Sequence, residues 1–280
     1  MESGLAEKVQ MVLLDLDGTL LNDNKEIGDK DYASLITLGK EGIVRVFATG
    51  RNLFSANNVL QKKCPFDYLI FSSGAGILNW KTGEILFNSA IQSKEILKIE
   101  QKLKELELNF SIHLPIPENH KYFFHRANPL VSDFDFRNSL YKEFSFELNS
   151  HYPYESASQF LIILNDDVQM VKIFEEFDGL NIIRATSPID GKSIWLEIFE
   201  PGISKASGGT FLCNLLNISP QKVVGIGNDY NDLEMLAWTA ISFTVANAPG
   251  VIKCRFNQCV DNLSNPLTDV LNKLQSGQFI

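Results

Sequence analysis

The stretch VVGIGNDYND, residues 223–232, joins a buried-looking apolar run to a cluster of polar side chains. The apolar run stops at Gly227, and four acidic or amide residues follow within five positions: Asn228, Asp229, Asn231 and Asp232. So many polar groups exceed what a routine strand end requires. They indicate a place where polar ligands or reacting groups meet.

Four other apolar runs have the same form, each ending in a glycine or a polar turn: MVLLDL (11–16), IVRVFATG (43–50), YLIFSSGAG (68–76) and AISFTVANAPG (240–250). Helix-length segments separate them, among them residues 28–41 and 205–217. Near-continuous apolar strands alternating with helices predict a parallel sheet covered on both faces. We therefore expect an α/β fold with a doubly wound, Rossmann-like parallel sheet.

The middle of the chain has a different pattern. Residues 93–108 place apolar side chains at helical spacing, and residues 167–177 form a second helical pattern. Strand-like stretches follow or separate them, at residues 121–126, 158–165 and 194–200. Several strands with two helices on one side predict an α+β domain inserted into the sheet domain. We expect the core domain at 1–81 and 200–280 and the insert at 82–199.

Three polar groups follow apolar runs and should meet at one edge of the sheet, because ligands of open parallel sheets bind beyond the carboxyl ends of the strands. They are the pair Asp15 and Asp17, the pair Thr49 and Gly50, and the cluster at 227–232. A nucleophilic carboxylate beside a general acid and base suits covalent phosphoryl transfer. Alone, however, Asp-x-Asp is a common pattern, and an acidic turn at a strand end also explains it.

Four ordered motifs carry a resemblance to a known family: DLDGTLL (15–21), ATGR (48–51), Lys205 after the insert, and GNDYNDLEML (227–236). Together they resemble the haloacid dehalogenase superfamily of phosphotransferases. The position of the insert is similar to that of the α/β cap in the Cof-type subfamily. The resemblance covers essentially the whole chain and implies a haloacid dehalogenase core with an inserted α+β cap.

The resemblance also implies roles for individual residues. Asp15 would be the nucleophile that forms an aspartyl-phosphate, and Asp17 the acid and base. Thr49 and the amide of Gly50 would hold the phosphoryl oxygens, with Lys205 as the cation opposite them. These roles suit phosphoryl transfer, which depends on positioning and charge neutralisation.

Substrate contacts are expected from Gly50, Arg51 and Asn231. For Arg51 a surface ion pair is an equally good interpretation. Asn231 is expected to orient Lys205 or the phosphoryl group.

The metal implied is Mg²⁺, with ligands from Asp15, Asp17 (through its backbone carbonyl), Asn228 and Asp232. The family motif has the form Gly-Asp-x-x-Asn-Asp, and this chain has Asn228 where its metal-binding aspartate is expected. Either Asn228 binds through its amide oxygen, or Asp229 takes its place. We favour Asn228, because the spacing to Asn231 and Asp232 is then preserved.

Composition narrows the partners. The chain has 280 residues, a formal net charge of −9 and no long run of Lys or Arg, so we expect no nucleic-acid partner. It has no apolar run of transmembrane length, and its start is unlike a signal peptide. We expect a cytoplasmic protein with free cysteines and no membrane partner. The oligomeric state is not predicted.

The expected function is a Mg²⁺-dependent phosphatase for a small phosphorylated metabolite, with sugar or polyol phosphates the leading class. Two alternatives stay open at this point. A phosphomutase of the phosphomannomutase type would return the phosphoryl group to the sugar. A catalytically silent protein would bind a phosphorylated ligand on the same fold.

Overall fold

The computed structural model describes residues 9–60, 63–127, 132–164, 167–177, 179–187, 189 and 191–278. By its internal contacts the chain divides into two compact units. The core unit comprises Met1–Phe87 and Ser204–Ile280, and the inserted unit comprises Asn88–Ile203. The sequence suggested divisions at 82 and 199, a few residues earlier.

The strands, in chain order, are β1 Met11–Leu14, β2 Val44–Ala48, β3 Tyr68–Phe71, β4 Gly76–Asn79, β5 Glu84–Asn88, β6 Ile91–Gln92, β7 Phe110–His113, β8 Tyr122–His125, β9 Ser145–Glu147, β10 Ser156–Ala157, β11 Gln159–Leu164, β12 Asn181–Thr186, β13 Ile194–Phe199, β14 Val223–Gly227, β15 Ile241–Val245 and β16 Asn257–Cys259. The helices are α1 Asp29–Lys40, α2 Leu53–Val59, α3 Ser93–Glu105, α4 Ser132–Leu140, α5 Asp167–Glu176, α6 Lys205–Leu216, α7 Leu233–Trp238, α8 Gly250–Lys253 and α9 Pro266–Ser276.

The core unit is built on an eight-stranded sheet in the order β16-β15-β14-β1-β2-β3-β4-β5. Strands β16 to β3 of that order run parallel, and β4 returns antiparallel to β3. Every residue of β1 and of β14 is buried, which explains their unbroken apolar sequences. The doubly wound α/β fold predicted from the sequence is therefore confirmed.

Alternate residues of β1 serve opposite faces of the sheet. Met11 and Leu13 belong to one core cluster with Leu212 of α6 and Met235 of α7. Side chains alternate along a strand, so the intervening residues of β1 point to the other face. The central strand is thus packed on both sides, and its carboxyl end is the part that remains available for chemistry.

The inserted unit contains a six-stranded sheet in the order β12-β13-β11-β7-β8-β9. Helices α3 and α5 share one core cluster with the even-numbered residues of β11, such as Ile162. Leu161 and Ile163 point the other way and pack with Phe134 of α4. The two predicted helices therefore lie on one side of the sheet, and α4 adds a helix on the other face that the sequence analysis did not include.

In the part of the chain that the structure describes, no helix combines the length and apolar character needed to span a bilayer.

Candidate active site

Three strand ends bring the predicted groups to one edge of the core sheet. Asp15 follows β1, Thr49 follows β2 and Asn228 follows β14. Strand β1 lies between the other two and runs parallel to both. The amide of Asp15 continues the ladder by donating to the carbonyl of Ile226 at 2.9 Å. The convergence expected from the sequence is thus present.

Lys205 reaches this edge from the first position of α6. The preceding residue, Ser204, caps the helix together with Ser207 in a reciprocal capping box, which fixes where the helix begins. Lys205 is only 1% exposed, and its Nζ donates to Asp15 Oδ1 at 2.6 Å and to Asp232 Oδ1 at 2.6 Å. A single ammonium group therefore lies between two buried carboxylates.

Both oxygens of Asp232 have partners within the protein. Oδ1 accepts from Lys205, while Oδ2 accepts from the backbone amides of Asn228 at 2.8 Å and Asp229 at 3.0 Å. The sequence analysis named Asp232 as a metal ligand. In this structure its carboxylate holds Lys205 and closes the loop that follows β14, and its role as a metal ligand stays a prediction.

Burial and neighbouring charges together shift the pKa values of Asp15 and Lys205. Burial raises the pKa of Asp15 to about 7, the negative charge of Asp232 adds to the increase, and Lys205 opposes it. Burial disfavours the charged form of Lys205, but the carboxylates of Asp15 and Asp232 outweigh that effect and raise its pKa. Lys205 is therefore a permanent cation, and any further positive charge beside Asp15 favours the ionised carboxylate.

Asp17 is held by two cations. Arg51 donates to both of its oxygens at 2.6 Å, and Lys25 donates to Oδ1 at 3.0 Å. Burial would raise the pKa of Asp17, but the hydrogen bonds and charge of Arg51, followed by Lys25, lower it. The sequence analysis weighed Arg51 as a substrate contact or an ion-pair partner, and here it forms the ion pair. Lys25 was missed, since no spacing rule connects it to Asp17.

Thr49 and Gly50 form the second wall of the site. Thr49 is buried, and its hydroxyl accepts from the backbone amide of Arg51 at 3.1 Å. Asn231 lies beside Gly50: its Nδ2 is 3.5 Å from the point where a Cβ on that glycine would stand. The ion pairs of Lys205 are with the carboxylates of Asp15 and Asp232.

The residues present fit a small divalent cation through oxygen donors. Asp15 Oδ2 is buried and has no hydrogen-bond partner among the described residues. Asn228, at the end of the neighbouring strand β14, accepts through its Oδ1 from the Thr19 hydroxyl at 3.1 Å. Its amide lies so close to Gly18, at φ +74°, that a Cβ there would collide with it. No group of three or more His, Cys, Asp or Glu side chains gathers for a metal within the described ranges. A site here would therefore combine carboxylate, amide and carbonyl oxygens with water, as Mg²⁺ accepts.

Carboxylates and a buried lysine at the carboxyl edge of a doubly wound sheet are typical of α/β enzymes that transfer phosphoryl groups. The family model described as haloacid dehalogenase-like hydrolase matches residues 12–264, so the chain belongs to that family. It is a hydrolase of phosphate esters. The family resemblance predicted from the four motifs is confirmed.

Individual relatives are distant. The chain is 23% identical over 248 residues to 5-amino-6-(5-phospho-D-ribitylamino)uracil phosphatase YcsE of Bacillus subtilis, covering 88% of this chain and 87% of that protein. It is 26% identical over 258 residues to the chloroplastic endoribonuclease YBEY of Arabidopsis thaliana, where 86% of this chain spans only 42% of that protein. A solved structure of a haloalkanoate-superfamily phosphatase from Bacteroides thetaiotaomicron has the same fold, with a TM-score of 0.81, 19% identity and 98% of each chain covered.

Proposed function

We propose that the protein is a Mg²⁺-dependent phosphatase that hydrolyses a small phosphorylated metabolite through an aspartyl-phosphate on Asp15. The observation that carries the proposal is the state of the Asp15 carboxylate. One oxygen is held by the buried Lys205, and the other is buried with no partner among the described residues. A carboxylate kept in this way is positioned to act as a nucleophile and to share a cation.

In the first step an oxygen of Asp15 attacks phosphorus, and the bond from phosphorus to the alcohol oxygen breaks. Lys205 neutralises charge on the attacking carboxylate and on the phosphoryl oxygens. The Thr49 hydroxyl and the Gly50 amide donate to those oxygens. In the second step water attacks phosphorus, and the bond to Asp15 breaks to release phosphate.

Asp17 manages the protons of both steps. The leaving alkoxide takes a proton from Asp17, and the attacking water gives one back. Arg51 and Lys25 occupy both oxygens of Asp17 and lower its pKa, so this arrangement keeps Asp17 ionised, as it must be before it accepts a proton from water. Proton donation requires at least one of those oxygens to be released. Arg51 is thus a positioning residue for Asp17, and a phosphorylated substrate would compete for its guanidinium.

The residues that would hold Mg²⁺ are Asp15 through Oδ2, Asp17 through its backbone carbonyl, and Asn228 through its amide oxygen. When bound, the ion would supply charge neutralisation for the transferring phosphoryl group and favour the ionised form of Asp15. Asp232 contributes indirectly, by holding Lys205 and the backbone of Asn228.

Sugar and polyol phosphates are the proposed substrate class. The name of the Bacillus subtilis relative describes a phosphatase for a compound with a phosphorylated ribityl chain, which is a polyol phosphate. At 23% identity this supports the class and not that particular substrate.

The test is a phosphatase screen with purified protein, with and without Mg²⁺, on an aryl phosphate, sugar and polyol phosphates, nucleotides and pyridoxal phosphate. Phosphate release that requires Mg²⁺ and disappears in Asp15→Asn is expected. Asp23→Asn, an exposed carboxylate in the same part of the chain, is the matched control and should keep full activity.

Two outcomes would replace the proposal. Transfer between sugar positions that depends on a bisphosphate activator would identify a phosphomutase. Phosphorylated ligands that bind equally well to the wild type and Asp15→Asn, without any hydrolysis, would identify a silent binding protein.

A further inference from the structure

A strained turn follows β3 and contacts the loop that contains Thr49 and Gly50, the residues proposed to bind the phosphoryl group. Ser72 and Ser73 follow β3 in the left-handed region, with φ of 48° and 53°. Both residues are fully buried, and Gly74 continues the turn at φ 112°. Non-glycine residues in this region cost on the order of 1–3 kcal/mol each and persist only where their surroundings fix them.

The backbone of this turn fixes the loop after β2. The amide of Ser73 donates to the carbonyl of Thr49 at 3.0 Å, and the amide of Ser72 donates to the carbonyl of Arg51 at 2.8 Å. In a planar trans peptide the carbonyl and the following N–H point in opposite directions. Because the Thr49 carbonyl points to the turn, the Gly50 amide points away from it.

The space at Gly50 is bounded by two polar side chains. A Cβ at this position would stand 3.5 Å from Ser73 Oγ and 3.5 Å from Asn231 Nδ2, with no closer atom within the described residues. Gly50 also lacks a positive φ. Neither backbone strain nor a steric clash therefore requires glycine here. The missing side chain leaves a recess between a hydroxyl and an amide, both able to donate hydrogen bonds.

We propose that Ser73 is a further phosphoryl-binding residue: its hydroxyl lines the recess at Gly50 with Asn231, and its strained backbone directs the Gly50 amide toward the bound phosphoryl oxygens. This inference rests on the proposed function and adds a residue from the turn after β3, a segment that none of the four sequence motifs covers. The strain in the turn maintains the direction of a hydrogen-bond donor before the substrate arrives.

The test compares Ser73→Ala and Ser73→Gly with Ser72→Ala. Both Ser73 variants lack the hydroxyl, and Ser73→Gly also removes the conformational free energy that a non-glycine residue costs in the left-handed region. Ser72 is equally buried and left-handed and serves as the matched control. The readouts are KM and kcat for an aryl phosphate, the inhibition constant of inorganic phosphate, and the melting temperature.

Loss of a hydrogen bond to a charged group should raise KM and the phosphate inhibition constant about tenfold in both Ser73 variants. A smaller change is expected in kcat. Ser73→Gly should melt at or above the wild-type temperature, which separates a binding defect from a folding defect. Ser72→Ala should keep the wild-type constants.

Failure of this inference can be told from failure of the proposed function. If the wild type hydrolyses phosphate esters and both Ser73 variants keep its phosphate inhibition constant within twofold, the inference is overturned. If the wild type is inactive, the proposed function fails, and calorimetry with inorganic phosphate then tests Ser73 directly. Weaker phosphate binding in Ser73→Gly would support the role, and equal or absent binding in both proteins would overturn it.

Discussion

A single ammonium group, that of Lys205, compensates two buried carboxylates. Lys205, Asp15 and Asp232 are each less than 5% exposed, and both ion pairs are 2.6 Å long. Such groups lose much of their hydration on folding, so the pairing is needed to keep them charged in the interior. The trio has one negative charge in excess, which a cation at Asp15 Oδ2 would balance.

Replacing Lys205 by a neutral residue should therefore destabilise the folded protein. We expect Lys205→Met to lower the free energy of unfolding by about 3–5 kcal/mol, because two buried carboxylates lose their partner. Adding Asp232→Asn to that variant should recover part of the loss. Urea unfolding measures both. Lys30→Met, at an exposed position, is the control. A loss below about 1 kcal/mol in Lys205→Met, close to that of Lys30→Met, would contradict the electrostatic account.

The side-chain amide of Asn228 leads to a second prediction about a single residue, which concerns the affinity for Mg²⁺. Asn228→Asp should bind Mg²⁺ about tenfold more tightly, because a charged ligand replaces a neutral one beside Asp15. Asp229→Ala should change the affinity by less than about twofold. The Mg²⁺-dependent shift in melting temperature reports the affinity without any need for turnover. Loss of Mg²⁺ binding in Asp229→Ala, with Asn228→Ala tolerated, would give the ligand role to Asp229.

The resemblance carried by the four ordered motifs predicted Asp15, Thr49 and Lys205 as site residues, and the strand ends alone pointed to Asp15 and Thr49. Neither identified which groups pair. Asp232 contacts Lys205, and Arg51 and Lys25 both pair with Asp17. Such pairings depend on side-chain directions across loops far apart in the chain, and residue spacing does not contain that information.

At the scale of elements, the turn after β3 joins the sheet edge to the start of α6. Gly74 has φ 112°, and a Cβ there would collide with the backbone of Ser204, the residue that caps α6. The backbone atoms of Ser204 cannot give way without moving the helix that carries Lys205. The turn is therefore constrained on one side by α6 and on the other by the loop at Gly50.

Gly74→Ala should accordingly be among the most destabilising small substitutions in the core unit. Gly83 provides the matched control, because it also has a positive φ of 74° but no atom within 4 Å of an added Cβ. Gly83→Ala should cost about 1–2 kcal/mol, the left-handed penalty alone. Gly74→Ala should cost at least about 3 kcal/mol and lower activity as well. Equal melting temperatures for the two variants would show that α6 does not constrain the turn.

The elements that sequence patterns predicted are those with long apolar runs or clear helical spacing, such as β1, β14 and α3. Helix α4 was not predicted, because its apolar residues Phe134 and Phe136 are two positions apart, a spacing typical of a strand. Phe134 is fixed by packing on Leu161 and Ile163, while Phe136 is about half exposed. Tertiary packing, and not local pattern, makes this segment a helix.

At the scale of the whole molecule, buried titratable groups in the two units respond to pH with opposite signs. In the core unit the folded-state pKa of Asp15 is raised to about 7, chiefly by burial, so its contribution to stability falls as pH rises toward 7. In the inserted unit His113 is buried, and its Nδ1 contacts the carbonyl oxygen of Asn119 at 2.7 Å. Burial first, and then the charge of Arg137, lower the pKa of His113 to about 3.

His113 makes the folded protein less stable as the pH falls, because the folded and unfolded states bind protons differently. Its folded-state pKa lies below the ordinary value of 6.5, so between about pH 3 and 6.5 the unfolded chain binds a proton that the folded chain does not. The stabilisation from neutral His113 is present above pH 6.5 and is lost as pH falls. Between pH 7 and 5 the free energy of unfolding falls by about 2 kcal/mol, at 1.36 kcal/mol per pH unit below 6.5.

His113→Gln removes this titration, and comparing it with the wild type cancels the opposing contribution of Asp15. We expect the difference in unfolding free energy between the two proteins, measured in urea from pH 7.5 to 4.5, to shrink steadily below pH 6.5. Parallel pH curves for the two proteins would show that His113 is not a buried neutral base.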